Sequence, residues 1–449
     1  MTFKINEELV EQVQSLINAD NKAKVFEIMD EYHYADIAEI LEEISFEQAI
    51  YVIKLLDSEK TSDILSELDE DIREKILDNL SAKEIAKEVV ELDTDDAADI
   101  LAELPEDKQQ KVIEKIKDEE LKADIQELLA YDEHSAGGLM AKELVKVNEN
   151  WNVTQCVGEM RQQAANVTRV HSIYVVDKDD RLIGRLSLKD LLMAPDHYQI
   201  SSVYIPKVDS VHVDDDAEEV AKLMQKYDLE AIPVIDDDKI LKGRITIDDI
   251  VDVIKEEAEK DYQLAAGITQ DVESSDSILE LTRARLPWLF LGLIGGVGAA
   301  LIMGDFEAML KDHAVLFFFT PLIAAMAGNV GVQSSAIIVQ GLANDDVKGS
   351  VNTRLFKEML LAALNGVILA MFLLLFIWAW EKNLYTALAI SVSLIAVIIV
   401  AGIIGTFVPL FLDKRGIDPA IATGPFITTS NDIFGILIYF WIAKIILQI

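Results

Sequence analysis

A single aspartate, Asp432, lies inside an otherwise apolar stretch near the end of the chain, with hydroxyl and amide side chains just before it. An ionised carboxylate at the centre of a membrane-spanning helix costs about 2.5–3.5 kcal/mol on insertion scales, so it requires water, a counter-charge or a bound ion. No lysine or arginine lies in the central part of any apolar stretch. The pattern favours an ion at Asp432; the alternatives are a protonated carboxyl group or one that faces interfacial water.

A second polar cluster, from Gly328 to Ser335, lies within another long apolar stretch. Its glycines and amides predict a broken or bulged helix that lines a polar cavity, because irregular backbone at membrane depth is tolerated only there or inside protein. Carboxylate, amide and carbonyl oxygens are hard ligands, and the lack of His or Cys at this depth disfavours soft metals. We therefore expect an ion site for a divalent cation that keeps much of its water, formed by Asp432, Asn329, Gly328 and Thr428.

Five apolar stretches are long enough to cross a bilayer core, which takes about 18–20 residues. They are Leu286–Met303, Ala314–Ala343, Met359–Trp380, Asn383–Leu412 and Pro419–Ala443. The connections on the side of the N-terminal region carry most of the basic residues, so that region is expected in the cytoplasm and the C-terminus outside the plasma (inner) membrane. An odd number of spans commonly completes itself in a homodimer. Two copies would bring two Asp432 carboxylates near the symmetry axis, an arrangement that suits a divalent cation that keeps much of its water.

Charge and hydropathy are segregated along the chain. The net charge is −39 although 51% of the residues are apolar, and 69 acidic against 32 basic residues precede Leu286. Such a surface repels nucleic acid and anionic lipid and attracts cations. Nucleic acid is thereby excluded as a partner, while solubility alone remains a simpler explanation of the acidic surplus.

Residues 1–130 predict an all-α, superhelical domain with helix after helix. A related hexapeptide recurs at Glu39–Ile44, Asp63–Leu68 and Asp99–Leu104 and gives each helix one apolar face. Separations of 24 and 36 residues indicate a stacked array rather than a strict solenoid repeat.

A clearer repeat follows, in which Ile173–Leu192 aligns with Ile232–Val251 at an offset of 59 residues. Each copy predicts a strand, an acidic turn, a second strand and the start of a helix, and ends in Gly-x-x-Ser/Thr-x-x-Asp. This α/β pattern resembles a tandem pair of CBS domains, here 131–199 and 200–257. The resemblance implies that an adenine nucleotide such as ATP is held between the repeats by Ser187, Asp190, Thr246 and Asp249. Helix capping by the two hydroxyls is the alternative.

The whole order of parts resembles the MgtE family of Mg²⁺ channels: acidic helical domain, CBS pair, a connecting helix at 258–285, and a five-span domain at 286–449. More specific matches are His134–Met140, Gly328-Asn329 with Gln333-Ser334, Gly416–Pro419, and Asp432 with Gly435. The resemblance implies a multidomain membrane protein that acts as a homodimer and holds hydrated Mg²⁺ at Asp432.

The same resemblance implies a cytoplasmic Mg²⁺ sensor. By position its ligands are Asp95, Asp96, Glu218, Asp228, Asp249, Asp252, Glu257 and Asp261. Since clustered carboxylates repel one another without cations, cytoplasmic Mg²⁺ is expected to favour a compact, closed state. Three residues depart from the family pattern, namely Lys260, Val332 and Gly424.

Two other functions remain open. One is a membrane-anchored CBS nucleotide sensor whose spans only tether it, and the other is a transporter that prefers Co²⁺ or Mn²⁺. No enzyme is expected, because the sequence has no Gly-x-x-x-x-Gly-Lys phosphate loop and no recognisable nucleophile–base pair.

Overall fold

The computed structural model describes residues 7–165, 167, 169–270, 272, 276–343, 350–422 and 424–448. These divide into two compact units, Met1–Lys255 and Glu256–Ile449.

Ten helices open the first unit. They are α1 (Glu7–Asn18), α2 (Lys22–Glu31), α3 (Tyr34–Glu42), α4 (Phe46–Ile53), α5 (Ser58–Glu67), α6 (Glu70–Asp78), α7 (Ala82–Val89), α8 (Thr94–Ala102), α9 (Glu106–Ile113) and α10 (Glu119–Leu128). From α3 to α9 each helix begins 12 residues after the one before. The separations of 24 and 36 residues are therefore multiples of one regular repeat, and the prediction of an irregular array was wrong. The repeat is hard to see in the sequence because Lys87–Leu92 and Lys111–Ile116 begin with lysine instead of an acid.

The recurring Ile-Leu pairs form the core of this array, as their helical spacing predicts. All six side chains are at most 2% exposed, namely Ile40 and Leu41, Ile64 and Leu65, Ile100 and Leu101. Polar residues fix the helix starts: Asp57 accepts from the backbone N–H of Lys60, and Ser81 forms a capping box with Glu84.

The rest of the first unit contains two small sheets. Its elements are β1 (Val145–Asn148), α11 (Val153–Gln163), β2 (Ile173–Val176), β3 (Leu182–Leu186), α12 (Leu188–Met193), β4 (Ile205–Pro206), β5 (Val211–His212), α13 (Ala217–Tyr227), β6 (Ala231–Ile235) and β7 (Leu241–Thr246). The strand orders are β1-β2-β3-β4 and β5-β6-β7, with a parallel first pair and antiparallel pairs after it in each sheet. Strands β3 and β7 begin 59 residues apart, which confirms the predicted repeat.

One helix, α14 (Ile247–Ala266), contributes residues to both units. The expected domain boundary after residue 257 falls inside this helix. It ends at Gly267, whose φ of +82° suits a residue without a Cβ atom.

The second unit contains α15 (Ile278–Asp305), the short α16 (Glu307–Asp312), α17 (Ala314–Ala343), α18 (Val351–Glu381), α19 (Leu384–Asp413) and α20 (Gly424–Leu447). Within the described residues, five of these helices are long and apolar enough to cross a membrane. The most buried is α19, which packs against α17, α18 and α20. Helix α18 begins eight residues before the apolar stretch expected at Met359, so it includes Glu358. Helix α20 begins at Gly424 rather than Pro419.

Helix α17 runs without a break, so the predicted interruption between Gly328 and Ser335 was wrong. Its glycines serve close packing instead. A Cβ atom at Gly331 would overlap Asn431 of α20, and one at Gly405 of α19 would overlap the Gly331 carbonyl. Small residues that let helix backbones touch are typical of membrane helix interfaces.

Candidate functional site

A cavity of about 520 Å³ lies between α17 and α20 in the second unit. Its lining residues are Ala324, Ala325, Gly328, Asn329, Val332, Gln333, Thr428 and Asp432. The structure thus brings together all four residues predicted for the ion site. The cavity also includes Gln333, an amide that the predicted site left out.

The position of Asp432 follows from helix geometry. It lies eight residues after the first residue of α20, which is about 12 Å along the helix. Thr428 is four residues earlier and therefore on the same face, and its hydroxyl donates to the Gly424 carbonyl at 2.9 Å. On α17, Gly328, Asn329, Val332 and Gln333 share one face by the same spacing. The cavity can therefore offer one carboxylate, two amide groups and a hydroxyl to a hydrated cation.

Asn431, next to Asp432, points away from this cavity into the helix packing. Its side chain is 1% exposed, and Nδ2 donates to the Ala327 carbonyl of α17 at 3.3 Å. This bond holds α20 against α17 at the level of Gly328. Asn431, which the sequence placed in the polar cluster before Asp432 but not in the ion site, therefore supports the site from behind.

A second candidate site is an acidic cluster in the first unit. The first turns of α8 carry Asp95, Asp96 and Asp99. All three lie close enough to Asp249 of α14 for the charge of Asp249 to raise their pKa values. The predicted pair Asp95 and Asp249 is thus brought together.

Burial and mutual repulsion raise the pKa values of this cluster. Burial, then the charge of Asp249, raises the pKa of Asp96 to about 7, and burial, then the charge of Asp96, raises that of Asp99 to about 7. Burial followed by the charge of Asp249 also raises the pKa of Asp95 well above its usual value. Asp96 and Asp99 nevertheless keep solvent-exposed surface, so water and a cation can reach them. Their placement therefore suits binding of a hydrated cation.

The other predicted sensor residues are more dispersed. Asp252 lies near Glu67 of α5. Burial raises the pKa of Asp252, and the charge of Lys255 offsets only part of that rise. Glu218 pairs with Lys222 on its own helix at 2.9 Å, and Asp228 ends that helix with a φ of +51°. Glu257 and Asp261 belong to the second unit, where Glu257 pairs with Lys260 at 2.9 Å.

No group of three or more His, Cys, Asp or Glu side chains has direct metal-ligand geometry in the described part of the chain. Asp93, Asp99 and Glu67 were missed as members of the cluster. The spacing of Asp99 three and four residues after Asp96 and Asp95 would have placed it on the same face of α8.

Neutral and basic groups hold α8 and α10 in place beside the cluster. Glu143 accepts from Thr94 at both the backbone N–H (3.2 Å) and the hydroxyl (2.8 Å). Glu127 pairs with Lys142 at 3.0 Å and with Lys242 at 2.6 Å. These contacts do not require a metal ion.

The Ser/Thr motifs of the two repeats act as helix caps in this structure. Ser187 accepts from the backbone N–H of Asp190 at 3.4 Å. The hydroxyl of Thr246 donates to Asp249 at 2.8 Å, and Asp249 also accepts the Thr246 backbone N–H at 2.9 Å.

A buried cation that the sequence did not suggest, Arg244, lies near Thr246 in the chain. Its Nη1 donates to the Arg169 carbonyl at 3.1 Å, while Nε has no partner among the described residues.

Comparison with known proteins gives a consistent result along the chain. Residues 320–442 match the MgtE divalent cation transporter model, residues 32–134 match the MgtE intracellular N domain, and residues 136–197 and 200–256 each match a CBS domain. The magnesium transporter MgtE of Enterococcus faecalis is 38% identical over 324 residues, which cover 72% of this chain and 71% of that protein. The chain belongs to the MgtE family.

Other family members extend the match. The magnesium transporter MgtE of Thermus thermophilus is 31% identical over 449 residues, or 99% of this chain and 100% of that protein. The crystal structure of the cytosolic domain of the Mg²⁺ channel MgtE in complex with ATP is similar at 33% identity and a TM-score of 0.51, covering 54% of this chain and 99% of that one. The soluble part of a magnesium transporter gives a TM-score of 0.50 at 29% identity, covering 56% and 99%. These matches confirm the helical domain, the CBS pair and the five-helix membrane region predicted from the sequence.

Proposed function

We propose that the chain conducts Mg²⁺ through the cavity between α17 and α20. The observation that carries this proposal is the Asp432 carboxylate in a cavity that is also lined by two amide side chains and one hydroxyl group. Mg²⁺ gives up water reluctantly and binds through few carboxylates, so a wide cavity with one carboxylate per chain suits its hydrated form. The proteins compared above are named as magnesium transporters, which supports the same ion.

A homodimer completes this site in the proposal. The cavity is lined by two helices of one chain, and a second copy facing it would supply a second Asp432. The N-terminal unit lies in the cytoplasm and the C-terminus outside, and the spans contact lipid. Support for this orientation comes from the basic residues near the ends of α15, α18 and α19, which are Arg283, Arg285, Arg354, Lys357, Lys414 and Arg415.

The test of the proposal is ion uptake by the purified protein in liposomes, measured for Mg²⁺, Mn²⁺, Co²⁺, Ni²⁺ and Ca²⁺. Uptake with Mg²⁺ preferred is the expected result. Uptake that favours Co²⁺ or Mn²⁺ would support the alternative of a transporter for those ions. The observation behind this alternative is Val332, an apolar residue in the cavity lining where the family pattern has a polar one. No uptake of any ion would support a membrane-anchored nucleotide sensor.

Cytoplasmic Mg²⁺ closes the channel in this proposal. Burial first, and then repulsion among these carboxylates and Asp249, raises the pKa values of Asp95, Asp96 and Asp99 in the compact unit. A cation bound there replaces repulsion with attraction and so favours the compact arrangement over a looser one. Removing residues 1–130 should leave flux that millimolar Mg²⁺ no longer suppresses, whereas equal suppression in the intact and shortened proteins would contradict the gating proposal.

The end of α14 carries the signal to the membrane helices. Gly424 at the start of α20 lies against the Ala265 carbonyl, and Gly267 lies against Pro425. Both contacts are inside the second unit and pack the end of α14 onto α20, the helix that bears Asp432. We assign this packing to the closed state.

The CBS pair binds an adenine nucleotide in the proposal. The comparison structure in complex with ATP supports it. The buried Arg244, whose Nε has no partner among the described residues, could also donate a hydrogen bond to a phosphate. Ser187, Asp190, Thr246 and Asp249 would contact the ribose and phosphates. Binding of ATP to the full-length protein, measured by calorimetry, should be lost in Thr246→Val. Unchanged heat in that variant would leave the hydroxyl only its local bond to Asp249.

A further inference from the structure

Glu358 of α18 is a second carboxylate at membrane depth, outside the cavity already described. It lies seven residues after the first residue of α18, about 10 Å along the helix. Asp432 is about 12 Å along α20 by the same measure. Because α18 and α20 are the third and fifth crossings, both begin at the same side of the membrane. The two carboxylates therefore lie at similar depth, one at the cavity and one behind it.

The Glu358 carboxylate is held by the two neighbouring helices. Its Oε1 accepts from the hydroxyl of Ser334 in α17 at 2.6 Å. The same oxygen would lie 3.1 Å from a Cβ atom at Gly402 of α19, so that glycine makes the room it occupies. Ser334 is 4% exposed and Glu358 is half-buried, so the bond between them is partly shielded from water. A hydrogen bond between a hydroxyl and a carboxylate in such a setting is among the stronger ones in proteins.

Ser334 lies on the side of α17 opposite the cavity. Successive residues of an α-helix are rotated by about 100°, so Ser334 is about 100° from Gln333 and about 140° from Asn329. The contacts of Gly331 with Asn431 and Gly405 hold α17 close to α20 and α19. The Ser334–Glu358 bond is placed to fix the rotation of α17 about its axis. A turn of about 20° would displace a side chain at the rim of the helix by about 2 Å.

We propose that Glu358 is a positioning residue for ion conduction: through Ser334 it sets the rotation of α17 and so directs Asn329 and Gln333 into the cavity. This inference rests on the proposed passage of Mg²⁺ through that cavity. The role belongs to the hydrogen-bonding oxygen of Glu358 rather than to its charge, since the partner is a hydroxyl group.

The experiment compares Glu358→Ala, Ser334→Ala, the double variant and Glu358→Gln for Mg²⁺ uptake in liposomes. Each alanine variant should raise the half-saturating Mg²⁺ concentration about three- to tenfold, which corresponds to losing one hydrogen bond. The double variant should be no worse than the single ones. Glu358→Gln retains an accepting oxygen and should stay within about twofold of the parent protein. Glu381→Ala, at the far end of the same helix, is the matched control and should change nothing.

A second readout does not depend on transport. Cys156 is buried and is the chain's single cysteine, so a cysteine introduced by Asn329→Cys can be followed by its rate of reaction with a water-soluble thiol reagent. Adding Glu358→Ala or Ser334→Ala should change that rate several-fold, and adding Glu358→Gln should not. Unchanged thiol-reaction rates together with an unchanged half-saturating Mg²⁺ concentration in the alanine variants would overturn the proposal. It would also be overturned if the effects of Glu358→Ala and Ser334→Ala added up in the double variant, or if Glu358→Gln were as impaired as Glu358→Ala. If Glu358→Ala does not fold, Ser334→Ala carries the test alone. Absence of Mg²⁺ uptake by the parent protein would refute the proposed function but not the cysteine result.

Discussion

Gly424 begins α20 with a φ of +33° and lies directly against the carbonyl oxygen of Ala265 at the end of α14. A Cβ atom at this position would overlap that oxygen, and the two atoms would have to separate by about 1 Å or more to reach ordinary contact. The oxygen belongs to the backbone and cannot rotate away. Gly424→Ala should therefore push the connecting helix off the start of α20.

The magnitude follows from two costs of the substitution. A residue with a Cβ atom at positive φ costs about 1–2 kcal/mol, and overpacking costs about 1–3 kcal/mol. Only the overpacking cost depends on the docked connecting helix. If docking is the closed state, the closed population should fall relative to the open one by about 5- to 150-fold. Flux into liposomes at millimolar cytoplasmic Mg²⁺ should rise accordingly, while flux without Mg²⁺ changes little.

Gly416→Ala is the matched control for this prediction. Gly416 has a φ of +67°, but a Cβ atom there would meet no other atom within 4 Å. The control therefore carries the backbone cost without the overlap and should close normally with Mg²⁺. Normal closure of the Gly424→Ala channel, at the Mg²⁺ concentration that closes the parent, would refute the assignment of this contact to the closed state.

Three further predictions concern pH, a buried ion pair and helix packing. Because the pKa values of Asp96 and Asp99 are raised from 3.8 to about 7, the Mg²⁺-free compact unit should lose stability as the pH rises from about 4 to about 7. The melting-temperature increase caused by Mg²⁺ should accordingly be larger at pH 8 than at pH 6, and an equal increase would contradict the acidic-cluster sensor. Arg73 donates through Nε to both carboxylate oxygens of Glu103, and both side chains are at most 15% exposed. Arg73→Ala should destabilise the first unit by about 3–5 kcal/mol in denaturant unfolding, because it leaves a buried carboxylate without its partner. A loss of stability below about 1 kcal/mol would show that the pair is solvated. Gly405→Ala should lower the melting temperature of the detergent-solubilised protein because its Cβ atom overlaps the α17 backbone, and an unchanged melting temperature would show that the two helices are separable.

Much of the architecture follows from local sequence patterns. Apolar length identified all five membrane helices, and the 59-residue repeat identified both sheets, because each depends on residues close together in the chain. Within each helix the ion-site residues also share a face as expected, since Gly328 is adjacent to Asn329 and Thr428 is about one helical turn from Asp432. Patterns of this kind need no knowledge of how distant segments pack.

The errors arose where distant segments decide the outcome. The glycines of α17 indicated a broken helix, but they accommodate Asn431 and Gly405, which lie about 100 and 74 positions further along the chain. Glu358 was assigned to a connection because hydropathy alone cannot show that Ser334 provides its hydrogen bond. Likewise, the position of Glu67 of α5 near Asp252 of α14 has no local signal in the sequence. Such pairings depend on tertiary packing, which periodicity does not encode.

The central claim is that the Asp432 carboxylate binds the conducted ion, and the most direct measurement is Mg²⁺ uptake by Asp432→Asn in liposomes. Asparagine has almost the same shape, so the variant should insert, fold and melt as the parent does while losing the negative charge in the cavity. Asp413→Asn removes an exposed aspartate at the end of α19 and is the matched control. Our account predicts that uptake falls at least about tenfold in Asp432→Asn, equivalent to about 1.4 kcal/mol, and is unchanged in Asp413→Asn. Parent-level uptake by a folded Asp432→Asn protein would contradict the account.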